Sequence, residues 1–324
     1  MNRSQPVAVG VIGVGNMGAN HARVLNESSD AGLVGVADAD AERAHTIAAE
    51  YNTSVLDTDT LLEAVDAVVV AVPTHGHFDV ACRAIDAGCH ILVEKPFVTD
   101  PKQGRELVRG AADAGVQLQV GHIERFNPAV AALFDLVDPT EIVAVRADRL
   151  GPPLGRSLED DVVIDLMIHD IDIVLALMGS TPTEIAGMSN EDGRYASVLC
   201  RFNEGVVCTL TASRMTQRKV RRLEVTTREQ LLVVDYLDQS LHIHRRSRPE
   251  YRQMNADVRY RHESVVERPI IESTEPLKRE LDAFLSAVQT GDRPAVDGAA
   301  ALESMRVVWH IQEQVAGARL EVSP

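Results

Sequence analysis

The 324-residue chain, 45% hydrophobic and 25% charged, has the length of two ordinary domains and too much apolar side chain for extensive disorder. Asp and Glu number 48 against 32 Lys and Arg, and the net charge of −16 excludes nonspecific attachment to nucleic acid or to an anionic membrane, because both need positive surface. Four of the cations are lysines (Lys95, Lys102, Lys219 and Lys278) and the rest arginines, an acidic, lysine-poor balance similar to that of proteins from salt-loving organisms.

Residues Met1 to Pro6 lack the apolar core and cleavage site of a signal peptide, and no apolar run reaches the roughly 18 residues of a bilayer span. Cys82, Cys89, Cys200 and Cys208 stand at neither zinc nor redox spacing, so the chain is expected to be cytoplasmic with free thiols. Val7 to Ile12, Leu33 to Ala37, Ala67 to Val72, His90 to Glu94 and Val116 to Gly121 are short runs rich in Val and Ile and predict strands. Helical stretches lie between them over Ala19 to Glu27, Ala41 to Tyr51, His77 to Ala87 and Pro101 to Ala114. Such alternation predicts right-handed crossovers and a doubly wound parallel sheet.

After Arg125-Phe126-Asn127-Pro128 the rhythm changes. A long helix is expected around Asp160 to Met178. "ASVLCRF-NEG-VVCTLTASRM", "RRLEVTT" and "QLLVVDY" then read as strands of an antiparallel sheet joined by short turns. The arginine-rich stretch Arg245 to Glu267 reads as an exposed loop or irregular edge, and helices over Glu280 to Gln289 and Gly298 to Val315 close the chain. The expected division is a first α/β domain over residues 1–121 and an α+β domain over residues 122–324.

Three motifs carry chemistry. In "GVIGVGNMGANHARVL", Gly13, Gly15 and Gly18 have GxGxxG spacing, follow a strand, open a helix, and precede by about twenty residues an acid, Asp38, at the end of the next strand. That context is the dinucleotide-binding Rossmann fingerprint: Gly13 for the tight turn, Gly15 for close approach of backbone to the pyrophosphate, Gly18 for helix-to-sheet packing, and helix-start amides at Val14, Asn16 and Met17 facing phosphate. Asp38 is expected to accept hydrogen bonds from the adenosine ribose and, with Asp40, to repel a 2′-phosphate, favouring NAD over NADP unless Arg43 intervenes. Glu94-Lys95-Pro96 ends a strand at the edge where open α/β sheets bind ligands, so Lys95 is expected near the nicotinamide end of the cleft. A lysine can exchange its proton near neutral pH where its surroundings favour it, which arginine cannot.

The third motif is "VIDLMIHDIDIVLALMG", whose Asp165, His169 and Asp172 fall on one side of an otherwise apolar helix. A polar stripe there must meet partners or a cleft, since unpaired burial costs several kcal/mol. An Asp–His pair four apart suits a general base, with a satisfied structural pair as the alternative, and Asp170 reads as structural.

Together these residues resemble the glucose–fructose oxidoreductase, inositol dehydrogenase and MocA family, and the closing "EPLKRELDAFLSAVQTG" and "AALESMRVVWHIQE" are similar to its last helices. The resemblance implies a dinucleotide domain followed by an α/β domain with an open, mainly antiparallel sheet, and oxidation or reduction of a sugar or cyclitol carbon. It makes Lys95, Asp165 and His169 the catalytic set. It lines the nicotinamide with "AVPTHGHFDVA" (Ala71, Pro73, Thr74, His77) beside Glu94 and Lys95, and brings His122, Arg125 and Asn127 to the substrate. "VGHIERFNPAV" and the Asp165 helix look especially like the branch acting on the 3-hydroxyl of UDP-N-acetylglucosamine, with inositol or a free aldose as the alternative substrate and a non-catalytic NAD-binding regulator as the alternative of another class. Arg214 and Lys219 would meet a diphosphate or form a solvated basic edge. No metal is expected at His75 and His77, which lack a carboxylate partner at ligand spacing. An uncovered sheet face implies a homodimer or homotetramer.

Overall fold

The structure is a computed structural model that describes residues 5–153, 160–245, 250–254, 257–261 and 265–317. The chain divides into two compact units, residues 1–126 with 274–307 and residues 127–273 with 308–324.

The first unit runs β1 (Val7–Ile12), α1 (Asn16–Glu27), β2 (Ala31–Ala37), α2 (Ala41–Tyr51), β3 (Ser54–Val55), α3 (Thr58–Glu63), β4 (Ala67–Val70), α4 (His77–Asp86), β5 (His90–Glu94), α5 (Pro101–Ala114) and β6 (Leu118–Gly121). The strands form one parallel sheet in the order β3-β2-β1-β4-β5-β6. Burial on both faces explains the unbroken apolar runs: Val68, Val69 and Val70 are inaccessible to solvent. Asp40, Asp57 and Asp100 cap α2, α3 and α5 with their carboxylates, which sets where those helices begin. Chain order reverses direction between β1 and β4, so the crevice at their carboxyl ends is the topological switch point where such sheets bind ligands.

The second unit holds α6 (Pro128–Leu136), β7 (Ile142–Leu150), α7 (Ile168–Met178), β8 (Glu184–Ser189), β9 (Tyr195–Arg201), β10 (Val207–Ser213), β11 (Val220–Thr227), β12 (Gln230–Asp235), β13 (Ser240–Arg245), β14 (Glu250–Met254), β15 (Asp257–Arg261) and β16 (Val265–Glu267). Eight strands form a sheet in the order β16-β13-β12-β11-β7-β10-β9-β8, antiparallel except for the β7–β10 pair, and β14 pairs with β15 separately. Val145, Ala147, Val198, Leu210, Leu223 and Val225 alternate with exposed or half-buried neighbours, the period-two pattern of a sheet packed on one face. Arg149 on β7 donates to the Asp170 carboxylate from Nε at 2.7 Å and from Nη2 at 3.0 Å, and the Tyr236 hydroxyl donates to the same group at 3.1 Å. This buried bidentate pair ties α7 to the sheet, the structural role expected of Asp170.

Two expectations are corrected. The units do not meet at residue 121: the first continues to Phe126 and takes back α8 (Pro276–Thr290) and the beginning of α9 (Gly298–Gly317). The reason is the apolar face of α8, whose Leu277, Leu281, Phe284 and Leu285 belong to the same buried cluster as Val9, Val11, Val69 and Leu92 of the parallel sheet. Within the stretch expected as an exposed loop or irregular edge, β14 and β15 pair with each other and β16 forms the edge of the large sheet beside β13, while residues 246–249, 255–256 and 262–264 lie outside the described residues. Truncating Phe284, fully buried at this junction, is expected to destabilise the first unit by about 3–5 kcal/mol. A urea-unfolding midpoint for Phe284→Ala equal to wild type would show instead that α8 is not part of that core.

Candidate active site

The turn after β1 is shaped by what its glycines lack. Gly13 adopts φ +86°, and a Cβ there would stand 2.6 Å from the Val72 amide nitrogen. At Gly18 a Cβ would fall 1.8 Å from the Gly13 carbonyl oxygen, so α1 can approach β1 only without a side chain at that position. Gly15 is the opposite case: a Cβ there would meet no protein atom within 4 Å. Open space beside a helix start, at a position with no steric need for glycine from within the protein, fits a pyrophosphate lying against the backbone.

Asp38, just past β2, accepts from the Val14 amide at 2.7 Å and from the Asp40 amide at 2.8 Å, so one carboxylate pins the glycine turn to the neighbouring strand. The Val14 amide, expected to face phosphate, is therefore turned towards Asp38, and its side chain is buried in the core. Asn16 and Met17 are exposed at the helix start. Arg43 stands 3.5 Å from Asp38 and 3.1 Å from Asp40. These residues fit the adenosine half of a dinucleotide, with Asp38 at the ribose.

Further along the same carboxyl edge lie Ala71, Pro73 and Thr74 after β4, and Glu94 and Lys95 at the end of β5. His77 is corrected. It is 1% exposed, and its ring contacts main-chain carbonyls on both sides, Pro96 at 2.9 Å through Nδ1 and Val72 at 2.9 Å through Nε2. Burial holds its basicity below the ordinary histidine range despite those carbonyls, and the ring ties the loop after β4 to the Lys95-Pro96 turn. Glu94 is also buried, with Oε1 accepting from His21 Nε2 at 2.7 Å and Oε2 from the Lys95 amide at 3.1 Å. It shapes the turn from beneath, while Lys95 is half-buried at its tip. His122, 1% exposed, and Arg125 follow β6 in the first unit.

In the second unit Asn127 is corrected as well. Its side-chain oxygen caps α6 by accepting from the Ala129 amide at 3.1 Å, and its side-chain nitrogen donates to the Tyr236 carbonyl at 3.1 Å. Those bonds make it a buried structural cap. Asp165 sits in a turn of π-helix over Val163–Met167 that runs into α7, whereas His169 lies in the first turn of α7 itself. The plain i, i+4 spacing thus crosses a local widening of the helix, a feature frequent at functional sites. Arg214, at the end of β10, donates to the Asp165 carboxylate and, at 2.7 Å, to the Asp160 carbonyl. The sequence pairs Asp165 with His169 and offers Arg214 to a diphosphate. The ion pair with Arg214 was not legible, because a strand end and a helix turn far apart in sequence give no spacing signal. Lys219 is exposed, on the stretch leading into β11.

Residues 7–122 match a family model described as oxidoreductase family, NAD-binding Rossmann fold, and residues 142–233 match the GFO/IDH/MocA C-terminal domain. UDP-N-acetylglucosamine 3-dehydrogenase of Acidithiobacillus ferrooxidans is 38% identical over 242 residues, which span 73% of this chain and 76% of that one. Its solved structure superposes with a TM-score of 0.87 and 32% identity, covering 95% of this chain and 97% of that chain. An inositol 2-dehydrogenase of Rhizobium meliloti is 32% identical over 188 residues, 55% of this chain and 57% of that one. No described helix is long and apolar enough to cross a membrane. The chain belongs to the glucose–fructose oxidoreductase, inositol dehydrogenase and MocA family of NAD-binding dehydrogenases.

Proposed function

We propose that the protein oxidises the 3-hydroxyl of UDP-N-acetylglucosamine with NAD. The observation that carries this reading is the reach of the likeness: identity to the UDP-N-acetylglucosamine 3-dehydrogenase extends over 73% of this chain, against 55% for the inositol 2-dehydrogenase. A substrate-binding half is where two dehydrogenases sharing a cofactor domain must differ. The Asp38 carboxylate favours a free ribose hydroxyl over a 2′-phosphate, which supports NAD over NADP.

Bound NAD supplies the hydride acceptor. The proposed reaction needs a base for the hydroxyl proton and a cation for the negative charge that develops as the C–H bond breaks; His169 is assigned the first role and Lys95 the second, with Lys95 as base the alternative. Asp165, held by Arg214, presents a fixed carboxylate one helical turn before the imidazole. Arg125, half-buried after β6, contributes to substrate binding, whereas His122 is as buried as His77 and is left with a structural place. The acidic, lysine-poor composition supports an enzyme working in concentrated salt, and the free Cys82, Cys89, Cys200 and Cys208 support a reducing, cytoplasmic compartment.

Oligomerisation is proposed through the second unit's sheet, where Val143, Leu199 and Val207 are 47%, 52% and 37% exposed. A single Leu199→Glu substitution is then expected to convert a homodimer or homotetramer to a smaller species in light scattering coupled to gel filtration; a wild-type chain that is already monomeric at micromolar concentration would contradict this.

NADH absorbance on a panel of UDP-sugars, inositols and free aldoses, at low and at molar salt, tests the activity. UDP-N-acetylglucosamine is expected to give the highest kcat/KM, and Lys95→Ala and His169→Ala to lose about 10²–10⁴-fold in kcat. Highest kcat/KM on inositol would replace the substrate, and wild-type turnover in both variants would remove the assigned roles.

A further inference from the structure

Beneath the Lys95 turn, three side chains that the proposed chemistry does not use meet in the core of the first unit. His21 comes from α1, Glu94 from β5 and Glu280 from α8; they are 0%, 7% and 0% exposed, and one ligating atom from each lies within 4.8 Å of the others. His21 Nε2 donates to Glu94 at 2.7 Å. Neither carboxylate oxygen of Glu280 has a hydrogen-bond partner among the described residues. Gly121 makes room for the group: a Cβ there would stand 3.1 Å from the Glu94 carboxyl carbon.

Two buried carboxylates so close together repel, and the His21 ring, hydrogen-bonded to Glu94, can answer only one of them. A divalent ion fits poorly, because two nitrogen or oxygen ligands each about 2.0–2.2 Å from one ion stand roughly 3 Å apart or more, and the His21–Glu94 separation of 2.7 Å is that of a hydrogen bond. A proton on one carboxyl resolves the conflict. Glu94 already accepts from both His21 and the Lys95 amide, so Glu280 is the group left to hold it.

We infer that Glu280 is a positioning residue: it stays a neutral carboxylic acid packed against the Glu94 carboxylate, and so keeps Glu94 oriented towards His21 and the Lys95 main chain. Burial, and then the charge of Glu94, push the Glu280 carboxyl well above the ordinary range. Burial also opposes ionisation of Glu94, but the His21 hydrogen bond, the His21 and Lys95 charges and the Lys95 amide hold it below that range. Among the described residues, His21 on α1 and Glu94 on β5 lie beside Glu280, the turn after β6 that packs on α8 carries Glu124 and Arg125, and β6 contributes the neutral Gln119, whose side chain donates to the Glu280 main-chain carbonyl at 3.2 Å. The consequence for ligand binding rests on the Glu94-Lys95 turn lining the cofactor cleft; the protonation of Glu280 does not depend on it.

Three measurements on the purified full chain test the inference, none requiring a known sugar substrate. Infrared spectra at neutral pH are expected to contain a buried carboxylic-acid carbonyl band that disappears in Glu280→Gln. A carboxyl raised in the folded state stabilises below its unfolded value and loses that contribution as pH rises towards the folded value, so the wild-type Tm should fall relative to Glu280→Gln between mildly acidic and alkaline pH. NAD affinity should weaken about fivefold in Glu280→Ala and recover in Glu280→Gln, which keeps a neutral polar group of the same shape. Absence of the band, parallel Tm profiles, or one divalent ion per chain by elemental analysis would overturn the neutral acid. A band with unchanged NAD affinity in a folded Glu280→Ala would overturn the positioning role.

Discussion

The nucleotide site depends on one close approach, that of the Gly18 Cα to the Gly13 carbonyl. A side chain at Gly18 would overlap that oxygen, so the absence of a single methyl group sets how closely α1 lies against β1. Everything at the carboxyl edge follows. The helix start is presented to the switch point between β1 and β4, the space beside Gly15 stays open, and Asp38 reaches back to hold the turn through the Val14 amide. Secondary structure alone does not make this site; a contact distance does.

The second organising feature is a set of buried or half-buried carboxylates, each answered by a specific partner. Asp170 receives a bidentate Arg149 and a tyrosine hydroxyl, Asp165 receives Arg214, and Glu94 receives His21 and a main-chain amide. In a lysine-poor chain arginine supplies the two ionic partners, and its planar fork suits them: Arg149 satisfies both oxygens of Asp170, and Arg214 spans the Asp165 carboxylate and the Asp160 carbonyl. Breaking one member of such a pair costs more than the pair contributes, since it leaves the other charge buried. These pairs are therefore best understood as fixing side-chain direction at α7 and at the end of β5.

Much of this was legible in the sequence where the signal is local. The GxGxxG turn, the acid at the end of β2, the lysine before Pro96 and the strand–helix alternation all have fixed short-range spacing. What was hidden is long-range. Nothing near Phe284 in the sequence says that α8 returns to the first unit's core, because an amphipathic helix does not specify which sheet it covers. His77 and Asn127 are polar residues at element ends, a pattern shared by ligands and by structural caps, and only their carbonyl and amide partners separate the two. The two-residue β3 and six-residue α3 are too short to show periodicity. Arg245 to Glu267 hid strands because its arginine-rich runs lack the apolar alternation by which a strand is read from sequence.

The glycine turn is a dinucleotide cradle and not merely a tight corner, and Gly15 separates the two. Its backbone is extended, at φ −66° and ψ −160°, and a Cβ there meets no protein atom within 4 Å. The most direct measurement is calorimetric titration of Gly15→Ala with NAD beside its thermal unfolding. Gly15→Ala is expected to keep the wild-type Tm while NAD affinity falls at least about tenfold, because the added methyl occupies the space kept for the pyrophosphate. Undiminished NAD affinity in that variant would contradict it.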